Sequence, residues 1–151
     1  MANSLVVRKD TVAVYLGSPE TEAVTKEDKL VNLGTVGEIG VSADEVETSW
    51  LDTDKSKAPG DKSADAIDIE QNLLTVEDAT ISGYFNNGSV IPFMIIYRKG
   101  DGTFLIGRKG TCYITKYSLP QGNKGDVLKA KYTIQPTALP DVVASDPFPG
   151  V

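Results

Sequence analysis

Short apolar runs that alternate with polar positions organise most of this chain. Val12-Ala13-Val14-Tyr15-Leu16 predicts a strand closed by Gly17-Ser18-Pro19. Residues 20–29 are polar and predict a turn or short helix, and Leu30 to Ile39 predicts a second strand whose glycines mark bends or bulges. Val41 to Leu51 alternates loosely enough for a strand running into a loop. Thr53 to Asp65 carries Lys, Asp, Ser, Pro59 and Gly60 without any period, which predicts a long flexible loop at about 52–66. In Ala66-Ile67-Asp68-Ile69-Glu70 the alternation is clean, with Ile67 and Ile69 inward.

Thr75-Val76-Glu77-Asp78 has the form of a helix start, with Thr75 as cap, and Asn86-Asn87-Gly88 has that of a stop. Val76, Ala79, Thr80, Gly83 and Tyr84 form the expected inward stripe. Ile91 to Tyr97 is apolar on both faces, the mark of a fully buried strand. Lys99-Gly100-Asp101-Gly102 predicts a hairpin turn into Thr103-Phe104-Leu105-Ile106, and Gly107-Arg108-Lys109-Gly110 a second turn into Thr111 to Tyr117. In Val127 to Ile134, Leu128, Ala130, Tyr132 and Ile134 face the core. From Gln135 onward, Pro136, Pro140, Pro147 and Pro149 predict an extended arm. The fold class is mainly β, a β-sandwich or partly closed barrel flanked by one α-helix. The domain reading is a single unit over 1–135 with the inserted loop, followed by a Pro-rich arm over 136–151.

Composition narrows the chemistry. The chain has 151 residues, 40% of them apolar, which suffices for one core. Lys+Arg 15 against Asp+Glu 21 gives a formal charge of -6, unfavourable for adhesion to nucleic acid or an anionic membrane. There is no histidine and a single cysteine, Cys112, so an internal disulfide and a His-based metal site are both excluded. Cys112 lies in a strand-like run and is expected to be a buried, inert thiol. The N-terminal apolar run is too short for a signal peptide and no run reaches membrane-span length, so the expected product is soluble and made in a cytoplasm.

Motif look-alikes fail on their details. Gly102 to Lys109 has phosphate-loop spacing, but Arg108 and Lys109 occupy the Lys and hydroxyl positions. Asp52-Thr53-Asp54 opens like a calcium loop, yet Lys57 and Ser63 stand where Gly and Glu are needed. The hydroxyls and Cys112 lack a histidine base, and the pairs Asp44/Glu45 and Asp52/Asp54 lie in solvated segments. The expectation is a non-enzyme without metal or cofactor. What remains is a surface for interaction: Trp50 and Leu51 among carboxylates at the mouth of the loop are either core or an aromatic anchor for a partner.

The order and spacing of several segments resemble the major tail tube proteins of long, non-contractile-tailed (siphovirus) bacteriophages. They are Asp10-Thr-Val-Ala-Val-Tyr-Leu-Gly17, Leu33-Gly-Thr-Val-Gly-Glu-Ile39, Ser42-Ala-Asp-Glu-Val-Glu-Thr-Ser-Trp-Leu-Asp52, the polar loop with Gly60, Gly83-Tyr-Phe-Asn-Asn-Gly88 and the Gly100-Asp-Gly102 hairpin. The resemblance implies a structural virion protein whose hexameric rings stack into a hollow tube for phage DNA. It further implies that the loop matched by residues 42–66 orders between rings. Asp44, Glu45, Glu47, Thr48, Trp50, Leu51, Asp52, Asp54, Lys55 and Lys57 would then make the self-assembly contact. Asp68 and Glu70, placed by alternation, are candidates to face the lumen and repel DNA. Implied partners are other copies of the chain, tail tip and terminator proteins, and a tape measure protein and DNA passing without specific binding; no membrane is involved. The implied location is the virion tail, with the host cytoplasm during assembly. The chain stops at Val151, so the immunoglobulin-like domain many members add is not expected. Two other readings stay open: the tube protein of a related bacterial secretion apparatus, and a monomeric β-sandwich binding module, for which Tyr113 and Tyr117 on one strand face would be the platform.

Overall fold

In the computed structural model one strand, Ile91–Arg98, is buried along almost its whole length, and the rest of the chain is arranged to cover both of its faces. The structure describes residues 11–30, 33–50, 53–73, 78–99, 101–120, 122, 124–125 and 128–149. The elements are β1 (Val12–Leu16), a 3-10 turn at Lys26–Asp28, β2 (Leu33–Val36), β3 (Val41–Trp50), β4 (Thr53–Ala64), β5 (Ile67–Asn72), α1 (Asp78–Asn87), β6 (Ile91–Arg98), β7 (Phe104–Ser118), β8 (Lys129–Pro136) and β9 (Asp141–Val143).

Seven strands form one antiparallel sheet in the order β1-β6-β7-β8-β5-β2, with β9 also paired to β7. The sheet curls toward closure. Lys29 bridges to Tyr15 and the Leu30 N–H donates to the Val14 carbonyl at 2.8 Å, while Leu33–Val36 a few residues on pairs with β5 at the other end. One stretch of chain thus ties both ends of the sheet, giving a partly closed barrel flanked by the helix, which packs against β7. The predicted bend in the second strand is a register shift between Leu33 and Thr35.

Inside the curl lies the main core: Val14, Ile67, Ile69, Ile91, Phe93, Ile95, Cys112, Ile114, Tyr132 and Ile134, joined by Ile81 of the helix. Ile67 and Ile69 face it as the alternation predicts, and so do Ala130, Tyr132 and Ile134 as buried positions of β8. Leu128 lies before β8 and is exposed. Burial pushes the Cys112 thiol up to about 12, so the thiolate is scarce at neutral pH. The opposite face of β1 and β6 carries a second cluster of Ala13, Tyr15, Met94 and Ile96, with Val24 and Val143.

Several expectations are corrected. Residues 53–64 are not a loop but strand β4, paired antiparallel with β3. A two-stranded ribbon outside the main sheet has no core face, so its strands need no apolar alternation to identify them. The register shift between Ala43 and Glu45 takes up Gly60 and Asp61. Gly107 to Gly110 make no turn: β7 runs unbroken for 15 residues. Those glycines give room, since a Cβ on Gly107 would come 3.0 Å from Val143 Cβ and one on Gly110 3.3 Å from the Phe93 ring. On the helix, Ala79 and Thr80 are exposed; Ile81 is buried and Tyr84 packs on the core. Val76 lies outside the described residues. The stop at Asn87-Gly88 holds, with Gly88 at φ 61.

The tail also departs from the expected arm. β8 and β9 both run antiparallel to β7, so the chain follows β7 in one line, stepping out at Thr137–Pro140 and returning as β9. Prolines limited the strand to three residues without preventing the docking. Two outcomes follow. Cys112 should resist an aromatic disulfide reagent in the folded protein and react at once on denaturation, read by thiol titration. Gly107→Val, which overfills the contact with Val143, should cost about 1–3 kcal/mol and lower the urea midpoint.

Candidate functional site

The β3–β4 ribbon is the feature on which most of the sequence-predicted site residues fall. It forms its own two-stranded sheet, and within the described residues it pairs with no other strand. Ten and twelve residues at a strand's rise make it roughly 30 Å long. Its base is closed by the Asp65 N–H donating to the Gly40 carbonyl and Ser42 Oγ to Asp65 Oδ1, both at 2.9 Å, and is tied to the body by Gln135 Nε2 of β8 donating to the Ala64 carbonyl at 2.9 Å. A Cβ on Gly40 would meet the Asp65 carboxylate, which would have to swing aside and give up its bond to Ser42. Beside this base is a cleft of about 470 Å³, lined by Lys62, Ser63, Tyr113, Thr115, Gln135 and Leu139 among others.

Register places Trp50 opposite Thr53, so Trp50 lies at the far end of the ribbon, with Leu51 and Asp52 outside the described residues. Glu47 stands opposite Lys57 and Glu45 opposite Pro59 in the register. Thr48 stands opposite Ser56 and Val46 opposite Ala58. Asp44 lies in the register shift beside Glu45, and Asp54 and Lys55 in the one near the tip.

Asp68 and Glu70 lie together on the solvent-facing side of β5. Asp68 Oδ1 accepts from Thr133 Oγ1 at 2.7 Å, and Glu70 Oε1 is 3.4 Å from Lys131 Nζ. With Lys129 also opposite β5, this face mixes both signs. Tyr113 and Tyr117 do not share a face. The register shift between Ile114 and Lys116 inverts the alternation, leaving Tyr113 exposed while Tyr117 packs on the core beside Tyr132. The aromatic platform expected of a binding module is therefore not formed by this pair.

Arg98 and Asp146 were not singled out by sequence reasoning. Arg98 is 2% exposed, and its guanidinium meets Asp146 in a fork, Nη1 to Oδ2 at 2.6 Å and Nη2 to Oδ1 at 2.8 Å. The Gly102 and Phe148 carbonyls accept from the same group at 3.3 and 3.4 Å. Hydrogen bonding to Arg98 holds the Asp146 carboxyl below its ordinary range. The Phe148 ring lies 4.9 Å from that of Tyr15 and joins the second cluster. The only sequence signal was a charged residue ending an otherwise apolar strand.

Among the described residues no group of three or more His, Cys, Asp or Glu is placed to hold a metal, and no helix is long and apolar enough to cross a membrane.

No family model and no curated protein matches this sequence. Solved structures do. A chain of the anti-feeding prophage baseplate, 6-fold symmetrised, superposes with a TM-score of 0.74 at 5% identity, covering 93% of this chain and 97% of that one. A chain of the cap that terminates the anti-feeding prophage tube gives 0.72 at 14% identity, covering 96% and 95%. The SPP1 tail tube gives 0.61 at 15% identity, covering 92% and 81%. The fold is thus one found in the SPP1 tail tube, in chains of the anti-feeding prophage and in an extracellular contractile injection system, and it is matched along nearly the whole chain.

Asp146→Asn should lower stability by about 3 kcal/mol, because it leaves the buried Arg98 charge without its counter-ion. The pH dependence follows in sign. A depressed folded pKa means the contribution is present above the unfolded carboxylate value of about 3.9 and is lost as pH falls through the lower folded value. Acid titration below that value should therefore free Phe148 from Tyr15, read by proton NMR of the aromatic rings. Replacing residues 44–61 with an Asn-Gly turn should leave the seven-stranded sheet folded, read by thermal melting.

Proposed function

We propose that this chain is a structural tube subunit. In this reading hexameric rings stack into the hollow tail tube of a long, non-contractile-tailed phage, and DNA passes through its lumen. The observation that carries the reading is the likeness to tail and injection-system chains over more than 90% of this chain, at TM-scores of 0.61 to 0.74. The ribbon supports it. A self-paired arm outside the main sheet can reach a neighbouring copy, and a head-to-tail contact of that kind propagates without closing. Free sheet edges at β2 and β9 are suited to lateral contact around a ring, which would also cover them.

The ribbon residues Asp44, Glu45, Glu47, Thr48, Trp50, Leu51, Asp52, Asp54, Lys55 and Lys57 then make the ring-to-ring contact, with Trp50 at the tip as its aromatic anchor. Asp68 and Glu70 are proposed to face the lumen, where Lys129 and Lys131 beside them keep the wall close to neutral. Tail tip, terminator and tape measure proteins would be its partners, and the virion tail its destination after assembly in the host cytoplasm. No catalytic role is proposed.

A second reading, the tube of a contractile injection apparatus, is favoured by likeness to the sheath/tube terminator and the sheath-tube complex of an extracellular contractile injection system, at TM-scores of 0.66 and 0.64 against 0.61 for the SPP1 tail tube. Negative-stain electron microscopy of the purified chain over a concentration series should show rings or hollow tubes, and the variant lacking 44–61 should show none longer than one ring. Monomers at every concentration, with a tail-tip nucleator present, would overturn the tube reading. Co-purification of a sheath protein from the source would select the second reading over the first.

A further inference from the structure

Asn87 before Gly88 and Asp101 before Gly102 are the places in the sequence where a short side-chain carbonyl precedes a glycine. Such a side chain can close a five-membered ring on the next main-chain nitrogen, and glycine has no Cβ to shield that nitrogen. The fold treats the two pairs differently. Asp101 Oδ1 accepts from the Thr103 N–H at 2.9 Å, and the Gly102 N–H donates to the Lys99 carbonyl at 2.9 Å. Both reacting groups are therefore engaged elsewhere. Hydrogen bonds from Thr103 also hold the Asp101 carboxyl below its ordinary range, in the ionised form that offers no good leaving group.

Asn87 has weaker protection. It is the last residue of α1, and both it and Gly88 are exposed. The Gly88 N–H makes a long bond to the Phe85 carbonyl, 3.3 Å, and the Ser89 N–H returns to the Tyr84 carbonyl at 3.0 Å, closing the helix through Gly88 at φ 61. Helical backbone at Asn87 keeps the Gly88 nitrogen out of line with the amide carbon, so ring closure waits for the last turn to open. A helix end opens at little cost in free energy.

We propose that Asn87 is a spontaneous modification site of the folded chain, converting through a succinimide to aspartate and isoaspartate, and that the product loosens the junction between α1 and β6. The Gly88 nitrogen bonds to Asn87 Cγ and gives up its proton; the Cγ–Nδ2 bond breaks, and the amide nitrogen leaves with that proton as ammonia. Water then opens the imide. Cleavage at Cγ leaves aspartate, and cleavage at the main-chain carbonyl leaves isoaspartate, whose backbone runs through Cβ and Cγ. No oxidant or reductant enters. Either product puts a carboxylate at the negative end of α1. Isoaspartate also lengthens the main chain inside the loop that the Ser89 N–H closes on Tyr84, and residues 88–90 alone link the helix to β6. Tyr84 packs on the main core, so the loosening reaches inward. This inference lies outside the tube reading, since a free monomer carries the same helix end.

The test ages the purified full chain in mildly alkaline buffer, folded and in urea, and maps the products by tandem mass spectrometry with electron-transfer fragmentation, which separates isoaspartate from aspartate. Asn87 should convert in both samples, more slowly in the folded one, and ahead of any isomerisation at Asp101. The aged folded protein should melt below the fresh protein. Asn87→Gln, whose longer side chain closes such rings poorly, should melt after ageing where it did before. An intact Asn87 in the folded chain, isomerisation of Asp101 ahead of it, or an unchanged melting midpoint in the converted fraction would overturn the proposal. Neither readout requires rings or tubes, so failure here is distinguishable from failure of assembly.

Discussion

The constraint on which the rest of this structure depends is the double burial of β6. A strand apolar on both faces needs cover on both sides, and in this chain the two covers differ in kind. On the concave side the sheet supplies its own cover by curling, so that Ile91, Phe93 and Ile95 meet Ile67, Ile69, Tyr132 and Ile134. On the convex side, among the described residues, no second sheet packs to finish the sandwich. Val24 and the returning tail take that role over a much smaller area, and their cluster contains Tyr15, Met94 and Ile96. Curling and strapping are thus two responses to one excess of apolar surface.

β7 makes the arrangement continuous. Its first half pairs with β6 and its second with β8, and Cys112 is the residue where both partnerships meet, opposite Ile91 on one side and Pro136 on the other. The same long strand carries a register shift at Thr115, which turns Tyr117 inward, and two glycines that admit Phe93 and Val143. Its irregularities are what allow one strand to serve a curled sheet, a helix and the strap.

Legibility in the sequence followed the presence of a core face. Ile67 and Ile69, the β6 run and Val12–Leu16 could be read because burial imposes a local pattern that survives any topology. β3 could be read from the loose alternation of Val41 to Leu51, but β4 could not, since a strand outside the main sheet carries no such pattern and Pro59 and Gly60 resemble loop residues. The turn expected at Gly107–Gly110 failed for a related reason: a glycine that admits a neighbour is spelled like one that bends the chain. The Tyr113 and Tyr117 faces depended on a bulge, which is a property of the pairing and not of one strand. Arg98 and Asp146, 48 positions apart, had no local signature joining them. The ribbon residues could be named from a resemblance, but their positions along an arm became visible only once the register was known.

The strap also bears on how the chain is made. Val12 cannot find Tyr97, nor β5 find β8, until most of the sequence has been synthesised, so the sheet closes late and its contacts are non-local. Phe148 and Asp146 emerge after everything they cover. A chain released from the ribosome just before them would hold a complete sheet and yet expose the Tyr15 face, the kind of surface that chaperones bind and aggregates recruit. The returning tail therefore acts as a late seal on the Tyr15 face, separating chains that have made it from chains that have not by stickiness alone.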